Sequence, residues 1–313
     1  MTTIIQSLFL PSNPKKYWLQ TLLLLGVILY IVIFVNRINL KPYSEGFSQD
    51  PQFVLKQGDQ IYDDLYVQIY DQLMKPEDRV GFEIDQIIDM TQSSKKKDVF
   101  LDIGSGTGHL VNNLNARGYT AYGIEKSTQM IEYSEKKFPD ISVKCGDVHE
   151  PMTYERNTFS HIICTNFTVY QFADKNVFFR NCFHWLIPSG YLILHLVDRQ
   201  KFDTIIPAGK PPLFNSPQKY AKKRITDTII DFIDFQYKAS YQFLDNKQTV
   251  LKETFTDTAT NKVRQNELTL YMEDIDDILR IAKKCGFIIH GQFNLETAVG
   301  DEFQYIYMLE RPV

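Results

Sequence analysis

Residues 99–110, VFLDIGSGTGHL, carry an apolar strand into an acidic residue, Asp102, and then into three glycines at alternating positions, Gly104, Gly106 and Gly108. A glycine-rich turn at the C-terminal end of a buried strand lets a ligand approach the main chain closely, because no Cβ stands in the way. The helix that follows turns unpaired N–H groups toward the same ligand. A dinucleotide-binding turn reads G-x-G-x-x-G, which here requires glycine at position 109. His109 occupies that position, so the extra glycine falls one residue early. The turn points to an open α/β sheet with a ligand at its carboxyl edge, and it tilts the choice of ligand away from a dinucleotide.

The rest of the chain fits that frame. From residue 98 apolar strands (98–103, 119–124, 141–144, 159–164 and 191–197) alternate with helical segments (107–116, 127–138 and 173–186). Near-continuous apolar strands separated by helices indicate a parallel sheet covered on both faces. After Asp198 the period changes to two: Phe235, Tyr237, Ala239, Tyr241 and Phe243 alternate with polar residues, and runs at 249–256 and 262–271 follow. This predicts an antiparallel meander of about three strands within 228–271. A helix at 273–284 and strands near 287–294 and 303–310 close the chain. Upstream, Ile61, Leu65, Ile69 and Leu73 recur every fourth residue, predicting an amphipathic helix within 57–74 with a second row of Tyr62, Tyr66 and Tyr70. A further helix is expected over 81–92.

Composition narrows the class. With 313 residues, 44% of them hydrophobic, the chain has material for one sizeable domain, placed at 57–313. A net charge of −4 offers no global field for nucleic acid, and no nucleic-acid partner is expected. The four cysteines (Cys145, Cys164, Cys182 and Cys285) lack any C-x-x-C spacing, so neither a disulfide framework nor a metal site is expected. Residues 17–35, YWLQTLLLLGVILYIVIFV, carry no charge and match the roughly 20 apolar residues of a bilayer-spanning helix. No small-residue cleavage site follows, which favours an uncleaved anchor over a secretory signal. The expected organisation is a tail at 1–16, a transmembrane helix at 17–35, a linker at 36–56 and a membrane-tethered domain facing the cytosol.

Further residues stand where a nucleotide-like cofactor needs them. Glu125 ends the second strand of the series and can accept both ribose hydroxyls bidentately. Asp147, after the third strand, can accept from an adenine amino group, with Val148 and Met130 beside it. The fourth strand runs into Cys164, Thr165, Asn166 and Phe167 at the ligand edge.

Taken together, D-x-G-x-G-x-G, Glu125 and Asp147 in this order resemble class I S-adenosylmethionine-dependent methyltransferases across about 57–313. The resemblance implies a doubly wound, Rossmann-like sheet of seven strands with the last antiparallel, and a meander inserted after the fifth strand. It implies S-adenosylmethionine as cofactor. Asp102, Gly104 and Gly106 would contact the methionine moiety, Glu125 the ribose and Asp147 the adenine, with Ser105, Gly108, Lys126, Met130, Val148 and Thr165 in the same segments as further candidates. The helix bearing Tyr62, Tyr66 and Tyr70 resembles a segment that closes over the cofactor, and the meander is similar to the acceptor-site roof of sugar N-methyltransferases. The tail at Asn166 departs from the N-P-P-Y tetrad of enzymes that methylate DNA or glutamine. Candidates for a general base at the carboxyl edge are Tyr170, His195 and Asp198; His161 lies too early in its strand. The acceptor is expected to be a small molecule or a lipid, methylated on N or O. A nicotinamide-dependent oxidoreductase and a non-catalytic membrane-tethered binding module are the alternatives.

Overall fold

A computed structural model of the chain describes residues 14–39, 51–210 and 216–313. Helix α1 (Pro14–Asn39) stands by itself as an N-terminal unit, and the tail and linker expected beside it fall largely outside the described residues. Among the described residues no helix is long and apolar enough to cross a membrane. That finding corrects the expected transmembrane anchor at 17–35, and with it the single-pass membrane localisation and the membrane as a partner.

The second unit holds two sheets. β2 (Val99–Ile103), β3 (Thr120–Glu125), β4 (Val143–Cys145), β5 (Phe159–Cys164), β6 (Leu186–Val197), β11 (Ile288–Asn294) and β12 (Gln304–Glu310) form the expected seven-stranded sheet, in the order β4-β3-β2-β5-β6-β12-β11. The strands from β4 to β6 are parallel, and the last strand, β12, runs antiparallel to β6. The order reverses at β2, so the connections leaving the neighbouring strands β2 and β5 run in opposite directions and leave a crevice beyond their carboxyl ends.

Helices cover the sheet because their apolar residues recur on one face. Val80, Ile84 and Ile87 of α3 (Glu77–Thr91) and Val111 and Leu114 of α4 (His109–Ala116) pack with Phe100, Ile163, Ile193 and Ile306 of the strands. Local polar groups set the helix starts: Asp63 accepts from Tyr66 N at α2 (Asp64–Met74), Ser127 from Met130 N at α5 (Thr128–Lys137), and Asp174 from Asn176 N at α6 (Lys175–Trp185). The expected helix at 57–74 is shorter in the structure because a 3-10 turn, Gly58–Ile61, precedes Asp63.

The smaller sheet has more strands than the meander pattern indicates. β7 (Asp227–Asp231), β8 (Phe235–Phe243), β9 (Gln248–Asp257) and β10 (Val263–Tyr271) are antiparallel, and β1 (Phe53–Gln57) adds to β10 in parallel. All of β1 but Gln57 falls within the stretch read as linker. Fully buried Glu253 of β9 accepts from the hydroxyls of Tyr66 at 3.0 Å and Tyr237 at 2.7 Å, and from Asn266 Nδ2 at 3.2 Å. These bonds hold α2 against the meander, which fixes where the tyrosine row stands. One more helix, α7 (Ile275–Lys284), leads into β11.

Candidate active site

The glycine turn folds over the end of β3. Gly104 N and Ser105 N donate to Ile124 O, and Gly106 N donates to Glu125 Oε2 at 3.0 Å. Two of the glycines do different work. A Cβ on Gly106 would meet nothing nearer than Gly104 O at 3.9 Å, so it would project into open space. A Cβ on Gly108 would come within 2.6 Å of Ile141 Cδ1, so the third glycine is needed for packing.

A cavity of about 790 Å³ opens beside Gly104 and Gly106. Glu125 stands in its wall with its carboxylate accepting from three backbone amides, those of Gly106, Lys126 and Ser127. Those amides use three of its roughly four acceptor sites and fix its orientation, which leaves one site on Oε2 for a hydroxyl in the cavity. Asp147 lies further along the wall with Lys126, Met130 and Val148. Burial alone would raise the Asp147 pKa, but the backbone and ring N–H groups of His149 lower it overall, and Lys126 Nζ, 3.5 Å away, adds to this. The open ground over Gly106, the fixed carboxylate and the acidic far end fit the methionine, ribose and adenine parts of S-adenosylmethionine in that order.

A second cavity of about 570 Å³ adjoins the first. Its walls include Tyr66, Tyr241, Leu251, Leu270, Ile205 and Asp203. Tyr62, Tyr70, Asn166, Gln171 and Leu268 line both cavities and form the junction. There Tyr62 Oη donates to Gln171 Oε1 at 3.4 Å, and Asn166 Nδ2 donates to Tyr70 Oη at 2.9 Å, while Arg79 Nη1 donates to Asn166 Oδ1 at 2.9 Å. Burial pushes the Tyr70 hydroxyl up to about 12 and moves Tyr62 further in the same direction. Asn166 and Phe167 both have left-handed backbone, φ 54° and 65°, a conformation costly for a phenylalanine.

Several candidates from the sequence stand elsewhere. Asp102, Ser105, Gly108 and Thr165 line neither cavity, although all but Gly108 flank residues that do. Asp102 is buried, and its pKa is raised by that burial and by the neighbouring charges of Glu83 and Glu125, against the pull of Arg79. Tyr170 is wholly buried, and its hydroxyl accepts from Val197 N at 2.8 Å. His195 is wholly buried too; its Nδ1 accepts from Phe167 N at 3.3 Å, and burial together with Arg79 pushes its pKa down to about 3. Asp198 caps the turn after β6 by accepting from Gln200 N and pairs with Lys201 at 3.6 Å. None of these three lines either cavity.

Sequence reasoning passed over Gln171, Thr168 and His149, all of them in the wall of the larger cavity. It also passed over Arg79 and Glu83, whose ion pair (3.2 Å) had a readable signal in its i, i+4 spacing.

Residues 101–194 match the family model described as a methyltransferase domain. An uncharacterized methyltransferase from Oceanobacillus iheyensis is 36% identical over 92 residues, which cover 28% of this chain and 42% of that protein. The chain thus matches less than half of that relative's length. Among solved structures, an S-adenosylmethionine-dependent methyltransferase from Clostridium acetobutylicum superposes with a TM-score of 0.60 at 17% identity, over 79% of this chain and 98% of that one. The sugar N-methyltransferase KedS8 from Streptoalloteichus superposes with a TM-score of 0.52 at 16% identity, over 75% and 87%. Over residues 101–194 the chain is thus similar to a methyltransferase domain, and over a larger part of its length it shares the fold of S-adenosylmethionine-dependent methyltransferases.

Proposed function

We propose that the chain is an S-adenosylmethionine-dependent methyltransferase acting on a nitrogen atom of a small-molecule acceptor held in the second cavity. When bound, the cofactor supplies a sulfonium-activated methyl group. Gly104, Gly106, Glu125 and Asp147 would hold it in the larger cavity. The walls of both cavities align the acceptor with the transferable methyl, and such positioning can contribute roughly 7–11 kcal/mol.

The observation that carries the choice of nitrogen is the make-up of the junction. Tyr62, Tyr70, Asn166, Gln171 and Leu268 include no carboxylate and no imidazole, and both tyrosines hold their protons at neutral pH. A hydroxyl acceptor would need a base to take its proton as it attacks. A neutral amine already offers a lone pair. Its N–H can donate to the free lone pair of Tyr70 Oη, which turns the nitrogen lone pair toward the cofactor side. The cavity volume of about 570 Å³ lies in the range of small-ligand sites. The likeness to a sugar N-methyltransferase supports an amine borne on a polar scaffold.

Incubating the purified chain with methyl-labelled S-adenosylmethionine and pools of small amines and small alcohols tests this reading. Label is expected in the amine pool. Label confined to the alcohols overturns the choice of nitrogen, and failure to bind S-adenosylmethionine in calorimetry overturns the whole assignment.

A further inference from the structure

His109 breaks the dinucleotide pattern, and it lines neither cavity. Its partner is on the roof. Asp71, next to Tyr70 in α2, receives Thr107 Oγ1 at 2.6 Å, His109 Nε2 at 3.0 Å and Lys137 Nζ at 2.7 Å. The three donors come from the glycine turn, the first residue of α4 and the last residue of α5. Thr107 and His109 are buried, and Asp71 is nearly so. A carboxylate that gathers three donors from the cofactor-binding layer joins the helix above to the layer below. Burial alone would raise the Asp71 pKa, yet His109, Lys137 and Thr107 bring it below its ordinary value, so the carboxylate is charged and attractive to all three.

We infer that Asp71 is a positioning residue for cofactor binding: through Thr107 and His109 it latches α2 onto the glycine turn, and so sets Tyr62 and Tyr70 over the cofactor cavity. The inference rests on the reading of that cavity as the S-adenosylmethionine site. Asp71 and its three donors all lie outside both cavities, so a change at Asp71 reaches the cofactor through the two elements it joins, α2 and the glycine turn. If loss of the latch leaves the closed position about one-tenth populated, apparent affinity falls about tenfold.

The test is calorimetric titration of the full chain with S-adenosylmethionine, beside hydrogen exchange of residues 62–74 with and without it. For Asp71→Ala, Kd and KM for the cofactor are expected to rise about tenfold, with kcat at saturation changed less than about twofold. Cofactor-induced protection of 62–74, present in the natural chain, is expected to vanish. Thr107→Val removes one donor at nearly constant volume. It is expected to raise Kd a few-fold, and Asp71→Ala is expected to make that change no larger. Wild-type Kd and intact protection in a folded Asp71→Ala chain overturn the latch. Should that variant fail to fold, unchanged Kd and protection in Thr107→Val overturn it. Absence of cofactor binding by the natural chain removes the cofactor reading and the latch together, so the two failures are told apart.

Discussion

Asn166 Nδ2 donates to Tyr70 Oη at 2.9 Å, joining the end of the fourth sheet strand to the roof helix where the two cavities meet. The bond uses one lone pair of the phenol oxygen and leaves the other for an acceptor. Tyr70→Phe is expected to lower kcat about tenfold, the equivalent of one hydrogen bond of about 1.4 kcal/mol, with cofactor Kd nearly unchanged. Steady-state kinetics with a methylated amine product check this, and an unaltered kcat would remove Tyr70 from the orienting role.

Glu125 is the most firmly held carboxylate of the larger cavity, with three backbone donors. Glu125→Ala removes the group that would meet the ribose hydroxyls. A hydrogen bond to a charged group contributes roughly 1.5–3 kcal/mol, so affinity for S-adenosylmethionine is expected to fall about 10- to 150-fold. Calorimetry reads the loss directly, and retained affinity would displace the ribose from this wall.

The glycines separate binding from packing. Gly106→Ala places a methyl group in the open cavity and is expected to weaken cofactor binding while costing about 1 kcal/mol of stability from its positive φ. Gly108→Ala drives a methyl group into Ile141 and is expected to destabilise by about 1–3 kcal/mol. Denaturation midpoints measured beside cofactor titrations distinguish the two, and a reversed pattern would contradict the cavity placement.

Tyr170 stands in the core and supports the backbone of β6. Tyr170→Phe leaves a buried amide at Val197 without its partner and is expected to cost about 1–3 kcal/mol. Methyl transfer by the folded fraction is expected to keep its natural kcat. A large drop in kcat with unchanged stability would instead place the hydroxyl in the chemistry.

Glu83 is wholly buried beside Arg79, and burial raises its pKa; Asp102, raised in the same way, lies near it. The folded chain therefore keeps protons that the unfolded chain releases. That stability is fully present below the ordinary carboxylate range and is lost as pH rises through the folded values. Glu83→Gln is expected to flatten the decline above the ordinary carboxylate range, by at most about 1.4 kcal/mol per pH unit for the one group. Urea denaturation at pH values above that range measures it, and parallel curves would contradict the buried-carboxylate account.

The strong periodicities made the main sheet legible. Strands at 99–103, 120–125 and 159–164 fall within a residue or two of where apolar runs placed them, because a buried parallel strand has few alternatives. The smaller sheet was less legible. β1 carries only FVLKQ and pairs with a strand far away in sequence, so no local pattern announces it. Position at the carboxyl edge also could not say which side of the sheet a group faces. Tyr170 and His195 satisfy backbone amides in the core, while Gln171, next to Tyr170, faces both cavities. Their roles depend on left-handed backbone at Asn166 and Phe167, which residue type alone does not foretell. The apolar run at 17–35 gave a membrane expectation from length and hydropathy, and it is not supported among the described residues.

The parallel pairing of β1 with β10 also bears on how the chain is made. Gln57 and Glu267, partners in that ladder, are 210 positions apart. During synthesis β1 leaves the ribosome long before its partner exists, and closing so long a loop is slow. The central sheet strands, with partners nearer in sequence, are expected to assemble first. In pulse-labelled refolding, amides of β1 are expected to gain protection after those of β2. Gln57 lines the larger cavity, so that part of its wall is expected to be completed late in folding.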